Sequence, residues 1–260
     1  MSHSDLQRVQ DFLLSFARRQ AGEVREVPGG FLVRHEGYAR SHEHNQLHIA
    51  GPVGPETLPV VADAAMSDLP YRRITVHDDD LGLACAPVLG RAGYRHATEV
   101  VMVHTGPVPP EPGAEVVERD LGPDPYGPLR RALTAQQRRW MPDADEETVH
   151  DLVDRRTARR EGADEVLFLA VHDDIGEVAS WADLYMAPAD AIAQIDEVVT
   201  ADPYVRRGYA DAILAGAVRR AAAAGCGLRF LMADQDDWPR HWYARRGFTP
   251  IGRSHVFTRP

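Results

Sequence analysis

The chain has 260 residues, 44% of them hydrophobic and 26% charged, a composition that excludes collagen-like and disordered chains and leaves enough apolar mass for two packed units. Acidic residues outnumber basic ones 39 to 29, giving a formal net charge of -10, and all the basic residues are arginine, with no lysine anywhere. Such a balance, without a basic tract, is a poor electrostatic match for nucleic acid or an anionic membrane. Cys85 and Cys226 are the only cysteines. They lack C-x-x-C spacing, the N-terminal MSHSDLQRVQDF lacks a signal-peptide pattern, and no apolar run is long enough to span a bilayer, so the expected location is cytoplasmic.

In chain order, residues 5–20 read as an amphipathic helix, 30–38 and 46–49 as strands, and 55–69 as a helix with proline near its start. A strand over 71–77, a helix over 83–92 and a strand over 94–104 follow. The segment TGPVPPEPG, residues 105–113, then carries four prolines, which remove backbone donors and favour an extended connector. The expected organisation is a first lobe over 1–105, a linker over 106–113 and a second lobe over 114–260.

Downstream, 115–120 reads as a strand, 128–141 and 146–160 as Arg-rich helices, and 165–172 as a strand. The turn HDDIGE makes 166–185 an antiparallel hairpin, and 192–200 forms a further strand. Ala210, Ile213, Leu214, Ala217, Val218 and Ala221 form one apolar stripe on a helix over 210–224 that stops at Gly225. A strand over 228–233, a helix over 238–246 and a strand over 248–258 complete the chain. LGRAGYRHATEVVMVH and YARRGFTPIGRSHVFT, one near the end of each lobe, share a helix that closes on glycine plus an aromatic residue and then a long strand, the pattern of a diverged duplication.

The segment IDEVVTADPYVRRGYADAIL, residues 195–214, leads from a β-branched strand through a polar turn into a helix. Unpaired amides and the positive helix end at such a junction bind anions, a pyrophosphate above all; Gly208 and Ala210 leave room for it, and Arg206 and Arg207 can add charge-assisted contacts. Val205-Arg206-Arg207-Gly208-Tyr209-Ala210 resembles the acyl-coenzyme-A loop of the GCN5-related N-acetyltransferases (GNAT), Gln/Arg-x-x-Gly-x-Gly/Ala, with Val205 standing where the family favours Gln or Arg. Tyr243-Ala244-Arg245-Arg246-Gly247-Phe248 resembles the family's Tyr-x-x-x-Gly-Phe.

The resemblance implies an α+β fold of two GNAT-like lobes, each a mixed, mostly antiparallel sheet flanked by helices, with the second lobe catalytic. It implies transfer of an acetyl group from acetyl-CoA to a primary amine by direct attack, without a metal. Tyr243 would protonate the leaving thiolate. Glu197 or Asp196 would take the amine's proton; because neighbours on a strand face opposite sides, only one of them is expected to face the cleft, with Glu197 preferred. Main-chain groups of Val198, Val199 and Thr200 would pair with the pantetheine, while Val205, Arg206, Arg207, Gly208, Tyr209 and Ala210 would hold the diphosphate. The acidic balance points to a cationic small-molecule amine. The competing class is a silent CoA-binding regulatory or interaction module, and acetyl is not separated from longer acyl donors.

His42, His44 and His48 share parity on a strand and suggest a metal site, whereas turn and capping roles for Ser41, His44 and Asn45 suit the local SHEHN pattern better. The Asp runs 78–80 and 234–237 read as hydrated turns. In the first lobe the equivalent of the cofactor loop is Gly51-Pro52-Val53-Gly54-Pro55, where two prolines remove donors, and Leu89 stands at the place of Tyr243, so that lobe is expected to be silent. Trp140, Trp181 and Tyr185 are candidates for either the acceptor wall or the core.

Overall fold

A computed structural model describes residues 3–119 and 127–260. The fold is a mixed α/β structure built on a large, mostly antiparallel sheet flanked by helices. The chain forms two compact units: one comprises the residues up to Val103 together with Met232–Pro260, and the other is His104–Leu231.

In the first unit, α1 (His3–Arg19) precedes β1 (Glu23–Val27), β2 (Gly30–Arg34) and β3 (Gln46–Ile49). Then come α2 (Leu58–Ala65), β4 (Arg72–Val76), α3 (Asp79–Arg91) and β5 (Arg95–His104), and the C-terminal segment supplies α8 (Pro239–Ala244) and β11 (Phe248–Arg259). Strand β1, mostly exposed and charged, pairs with β2 across a turn in which Gly29 takes φ 80°. Its sequence EVREV has no apolar face to announce it, as suits an edge strand. Alternation then sorts β2–β4 into two faces. Leu32, Leu47, Ile49, Ile74 and Val76 join Leu58, Ala62, Cys85 and Leu89 in one core, and burial pushes the Cys85 thiol up, away from reactivity.

The C-terminal strand belongs to this first unit and not to the second-lobe span of 114–260. Strand β11 pairs antiparallel with β4 from His255↔Val76 to Arg259↔Arg72, and Phe257 is fully buried in the same core. The His255 ring lies so close to α3 that a Cβ at Gly82 would come within 2.0 Å of it. The likeness between the two lobe ends has a structural counterpart. Helices α3 and α8 are each followed by a left-handed glycine, Gly93 at φ 85° and Gly247 at φ 84°, and then by a buried aromatic, Tyr94 or Phe248. The strands that follow, β5 and β11, are neighbours in the sheet.

In the second unit, β6 (Val116–Glu118), α4 (Pro128–Trp140), α5 (Glu146–Asp154) and α6 (Arg156–Arg159) precede β7 (Glu165–His172), β8 (Val178–Ala187) and β9 (Ile192–Thr200). Helix α7 (Tyr209–Ala223) leads into β10 (Leu228–Asp234), along which the chain passes back to the first unit. The ladders β6–β7, β7–β8 and β8–β9 are antiparallel, and β9–β10 is parallel. The helix expected over 146–160 is interrupted at Arg155, and of the strand expected over 115–120, Asp120 lies outside the described residues. The proline-rich stretch lies along α7, where Arg219 donates to the Pro109 carbonyl at 3.2 Å and faces Glu111 at 3.9 Å. No helix among the described residues is long and apolar enough to cross a membrane.

On the other face of β2–β4, Phe31 and Val33 pack with Ala17 of α1, and a buried polar row follows. There His48 Nδ1 lies 3.1 Å from His77 Nε2. Burial pushes the His77 imidazole down to about 4, and it takes His48 well below its ordinary value with help from His77 and Arg73. Because the folded pKa of His77 lies below the unfolded one, its contribution is intact above the ordinary value of 6.5 and is lost as pH falls toward 4. Unfolding free energy from urea titrations should therefore fall over that window, by about 3 kcal/mol for this one group. His77→Gln should make the fall shallower, and an unchanged slope would contradict the assignment.

Candidate active site

Strand β9 carries an irregularity that shapes everything near it. In the ladder with β8, Asp183 faces Asp196 and Trp181 faces Val199, so Ala182 alone opposes both Glu197 and Val198. The extra residue is a β-bulge, and Glu197 sits in it at φ 51°, in the left-handed region. The alternation expected for Asp196 and Glu197 therefore fails: both carboxylates approach the same guanidinium, Arg159, at 4.0 and 3.2 Å. On its opposite edge, β9 pairs with β10 only through Ile192, Ala193 and Gln194. Beyond Gln194 the parallel ladder with β10 does not continue, and the edge carrying Val198, Val199 and Thr200 lies outside it.

Beneath the bulge lies a buried ionic cluster. Asp183, 1% exposed, accepts from Arg156 Nε at 3.0 Å and Nη2 at 2.5 Å, from Arg159 Nη1 at 2.8 Å and from the Tyr185 hydroxyl at 2.9 Å. The second arm of Arg159 reaches upward, where its Nη2 donates to Glu197 Oε1 at 3.2 Å, and Arg155 Nη2 donates to the same oxygen at 3.2 Å. Arg155, Arg156, Arg159 and Asp183 were not singled out as site residues from the sequence, and Tyr185 was singled out only as a candidate for the acceptor wall or the core. The available signal was Asp183 itself, a lone carboxylate inside the apolar strand VASWADLYMA, which must find a buried counter-charge. The arginines it needs come from RRTARR, where α5 gives way to α6. Tyr185 thus serves this cluster, Trp181 is 1% exposed in the core with Leu129 and Phe168, and Trp140 stands 53% exposed.

Past Thr200 the chain makes a short 3₁₀ turn, Asp202–Tyr204, and two left-handed residues, Arg206 at φ 64° and Gly208 at φ 86°, before α7 begins. Ala212 N–H bonds the Gly208 C=O at 3.0 Å, so the amides of Gly208, Tyr209 and Ala210 lie at the positive end of the helix. A Cβ at Gly208 would meet nothing within 4 Å, so conformation and not crowding asks for glycine, and the space in front of the turn is open. Val205, Arg206 and Arg207 are exposed. The turn is tied down on both sides. Tyr204 donates to Asp173 Oδ2 at 2.8 Å, a bond that pushes the phenol pKa up, and Arg139 at the end of α4 pairs with Asp202. Val198, Val199, Thr200 and Val205 through Ala210 thus follow one another along an open strand edge and a kinked helix start within one unit. This arrangement fits a thioester cofactor with a strand-like pantetheine and a diphosphate.

Tyr243 lies on α8, in the first unit, 8% exposed between Trp242 and Phe248, with ring centroids at 5.0 and 5.9 Å. In that unit the three histidines of SHEHNQLH go separate ways. His42 stacks on Tyr71, His44 Nδ1 lies 3.0 Å from Ser41 Oγ, and His48 pairs with His77. Among the described residues no group of three or more His, Cys, Asp or Glu could hold a metal. Asn45 donates to the Tyr38 and Ser41 carbonyls, as a turn residue does. Of the aspartate runs, Asp78 caps α3 through Leu81 N–H at 2.7 Å, and Asp79 lies 2.8 Å from His255 Nε2. A cleft of about 580 Å³ lies against Gly51-Pro52-Val53-Gly54, and its one charged lining group is a carboxylate, Asp78.

Residues 130–248 match the family model described as the acetyltransferase (GNAT) family. Residues 130–248 therefore carry a GNAT-family domain. Solved structures extend the likeness in fold to the rest of the chain. A GCN5-related N-acetyltransferase from Kribbella flavida superposes with a TM-score of 0.64 at 15% identity, covering 100% of this chain and 96% of its own. A functionally unknown conserved protein from Staphylococcus epidermidis gives 0.67 at 11% identity, covering 93% and 94%. A tandem GNAT protein from the clavulanic acid biosynthesis pathway gives 0.55 at 12% identity, covering 98% and 94%. No curated protein matches the sequence.

Removing the negative charge at the centre of the cluster strands two buried guanidiniums. Asp183→Asn should therefore lower unfolding free energy in urea by about 3–5 kcal/mol. A loss below about 1 kcal/mol would contradict the assignment of Asp183 as their counter-charge.

Proposed function

We propose that this GNAT protein transfers an acetyl group from acetyl-CoA to the nitrogen of a small primary amine, with the acyl donor seated in the second unit and the first lobe silent. The observation that carries this reading is the continuity of the β9 edge at Val198 to Thr200, beyond the end of the β10 ladder, with the left-handed turn that opens α7. Amides of Arg206 to Ala210 bind the diphosphate at the positive helix end, Arg206 and Arg207 add charge, and main-chain groups of Val198, Val199 and Thr200 pair with the pantetheine amides. In the first-lobe counterpart two prolines withhold backbone donors and the Asp78 carboxylate repels the same ligand.

Bound acetyl-CoA supplies a thioester whose carbonyl carbon is the electrophile. A carboxylate on β9, Asp196 or Glu197, takes a proton from the ammonium so that the nitrogen lone pair can form the new C–N bond. As the C–S bond breaks, the Tyr243 phenol gives its proton to the departing sulfur. Ordinary pKa values of ~10 and ~8.5 make that transfer close to balanced. Asp196, 33% exposed at its side chain, is the more accessible of the two carboxylates and attracts a cationic acceptor.

Free-thiol release from acetyl-CoA across a panel of primary amines tests the reading. At least one amine should support turnover, and Tyr243→Phe should slow it by roughly 10²–10³-fold with acetyl-CoA affinity unchanged. Tight CoA binding without release for any amine would point instead to a catalytically silent module.

A further inference from the structure

Glutamate is a poor occupant of left-handed backbone: outside glycine, asparagine and aspartate that region is rarely visited, and on a strand the extended form competes directly. Something must hold Glu197 at φ 51°. Its carboxylate is gripped at 3.2 Å by both Arg155 and Arg159, whose side chains are 15% and 2% exposed. Arg159 cannot follow a straightening strand, because its other nitrogen is bonded to Asp183, itself fixed by Arg156 and Tyr185. Irregular pairing flanks it on both edges. The ladder to β8 skips a residue, and the ladder to β10 ends at Gln194.

We infer that Glu197 is a positioning residue: Arg155 and Arg159, the latter rooted on buried Asp183, clamp it in the left-handed bulge that frees the β9 edge for the acyl donor. Glu197 Oε1 is already occupied by two guanidiniums, so the role of proton acceptor is assigned to the more exposed Asp196, 4.0 Å from Arg159. The inference rests on the proposed acyl-CoA site for its purpose, but the clamp itself is a property of the chain alone.

Position 197 separates the two roles, because glycine adopts the bulge without a clamp and valine resists it. In the full-length protein, hydrogen exchange without ligand should show 195–200 as open in Glu197→Gly as in wild type, and more protected in Glu197→Val. In calorimetric titrations with acetyl-CoA, Glu197→Gly should bind within about threefold of wild type, and Glu197→Val should bind roughly tenfold or more weakly. Arg155→Gln should weaken binding, and adding Glu197→Gly to it should restore it. With any amine that supports thiol release, Arg155→Gln should raise KM for acetyl-CoA and keep kcat at saturation, while Asp196→Asn should lower kcat with little change in that KM. Wild-type-like exchange and affinity in Glu197→Val, or unchanged affinity in Arg155→Gln, would overturn the clamp. Failure of wild type to bind acetyl-CoA would instead remove the proposed function and leave the exchange comparison to decide the clamp.

Discussion

A carboxylate placed in the middle of a fully buried strand is the constraint from which the second unit takes its form. Asp183 cannot stay charged in an apolar core without counter-charge, and two guanidiniums and a phenol converge on it. Arginine suits this role because its fork can bond two acceptors in different directions, as Arg159 does with Asp183 and Glu197. Ion pairs of this kind add little net stability compared with an apolar core of the same shape. What they add here is geometry, because they fix where one strand departs from regular pairing.

That departure links folding to chemistry. A regular β9 would continue its parallel ladder with β10, and every outward amide would be used. Here the ladder ends at Gln194 and the bulge follows at Glu197, and beyond them Val198 to Thr200 present an edge to which an extended ligand can add as a strand does. The same strand runs into the turn at Arg206–Gly208, where the helix dipole and unused amides attract negative charge. One short segment therefore offers two kinds of main-chain recognition in sequence, neither of which depends on the identity of the side chain at Val205.

Much of this was legible in the sequence. The strand over Ile192–Thr200, the apolar stripe of α7 and the glycine at 208 follow from periodicity and backbone chemistry, and the order of elements from 165 onward matches the ladders observed. Three things were not legible. The bulge was hidden because glutamate gives no local sign of left-handed backbone; only its partners on α5–α6, some forty residues earlier, hold it there. The ionic cluster was hidden because pairing Asp183 with Arg156 and Arg159 requires knowing which helix covers β8. The membership of β11 was hidden because FTPIGRSHVFTR reads as a final strand with no mark of which sheet neighbour it takes; Phe257 in the first core and the close approach of His255 to Gly82 settle that only in three dimensions.

The central claim is that the β9 edge and the α7 start form one cradle for an acyl-CoA, and a crystal structure of the full-length protein soaked with acetyl-CoA tests it most directly. The account predicts one molecule per chain, with the diphosphate on the amides of Arg206 to Ala210 and the pantetheine hydrogen-bonded along Val198 to Thr200. Density at the Gly51–Pro55 loop, or an empty cradle at saturating ligand, would contradict it.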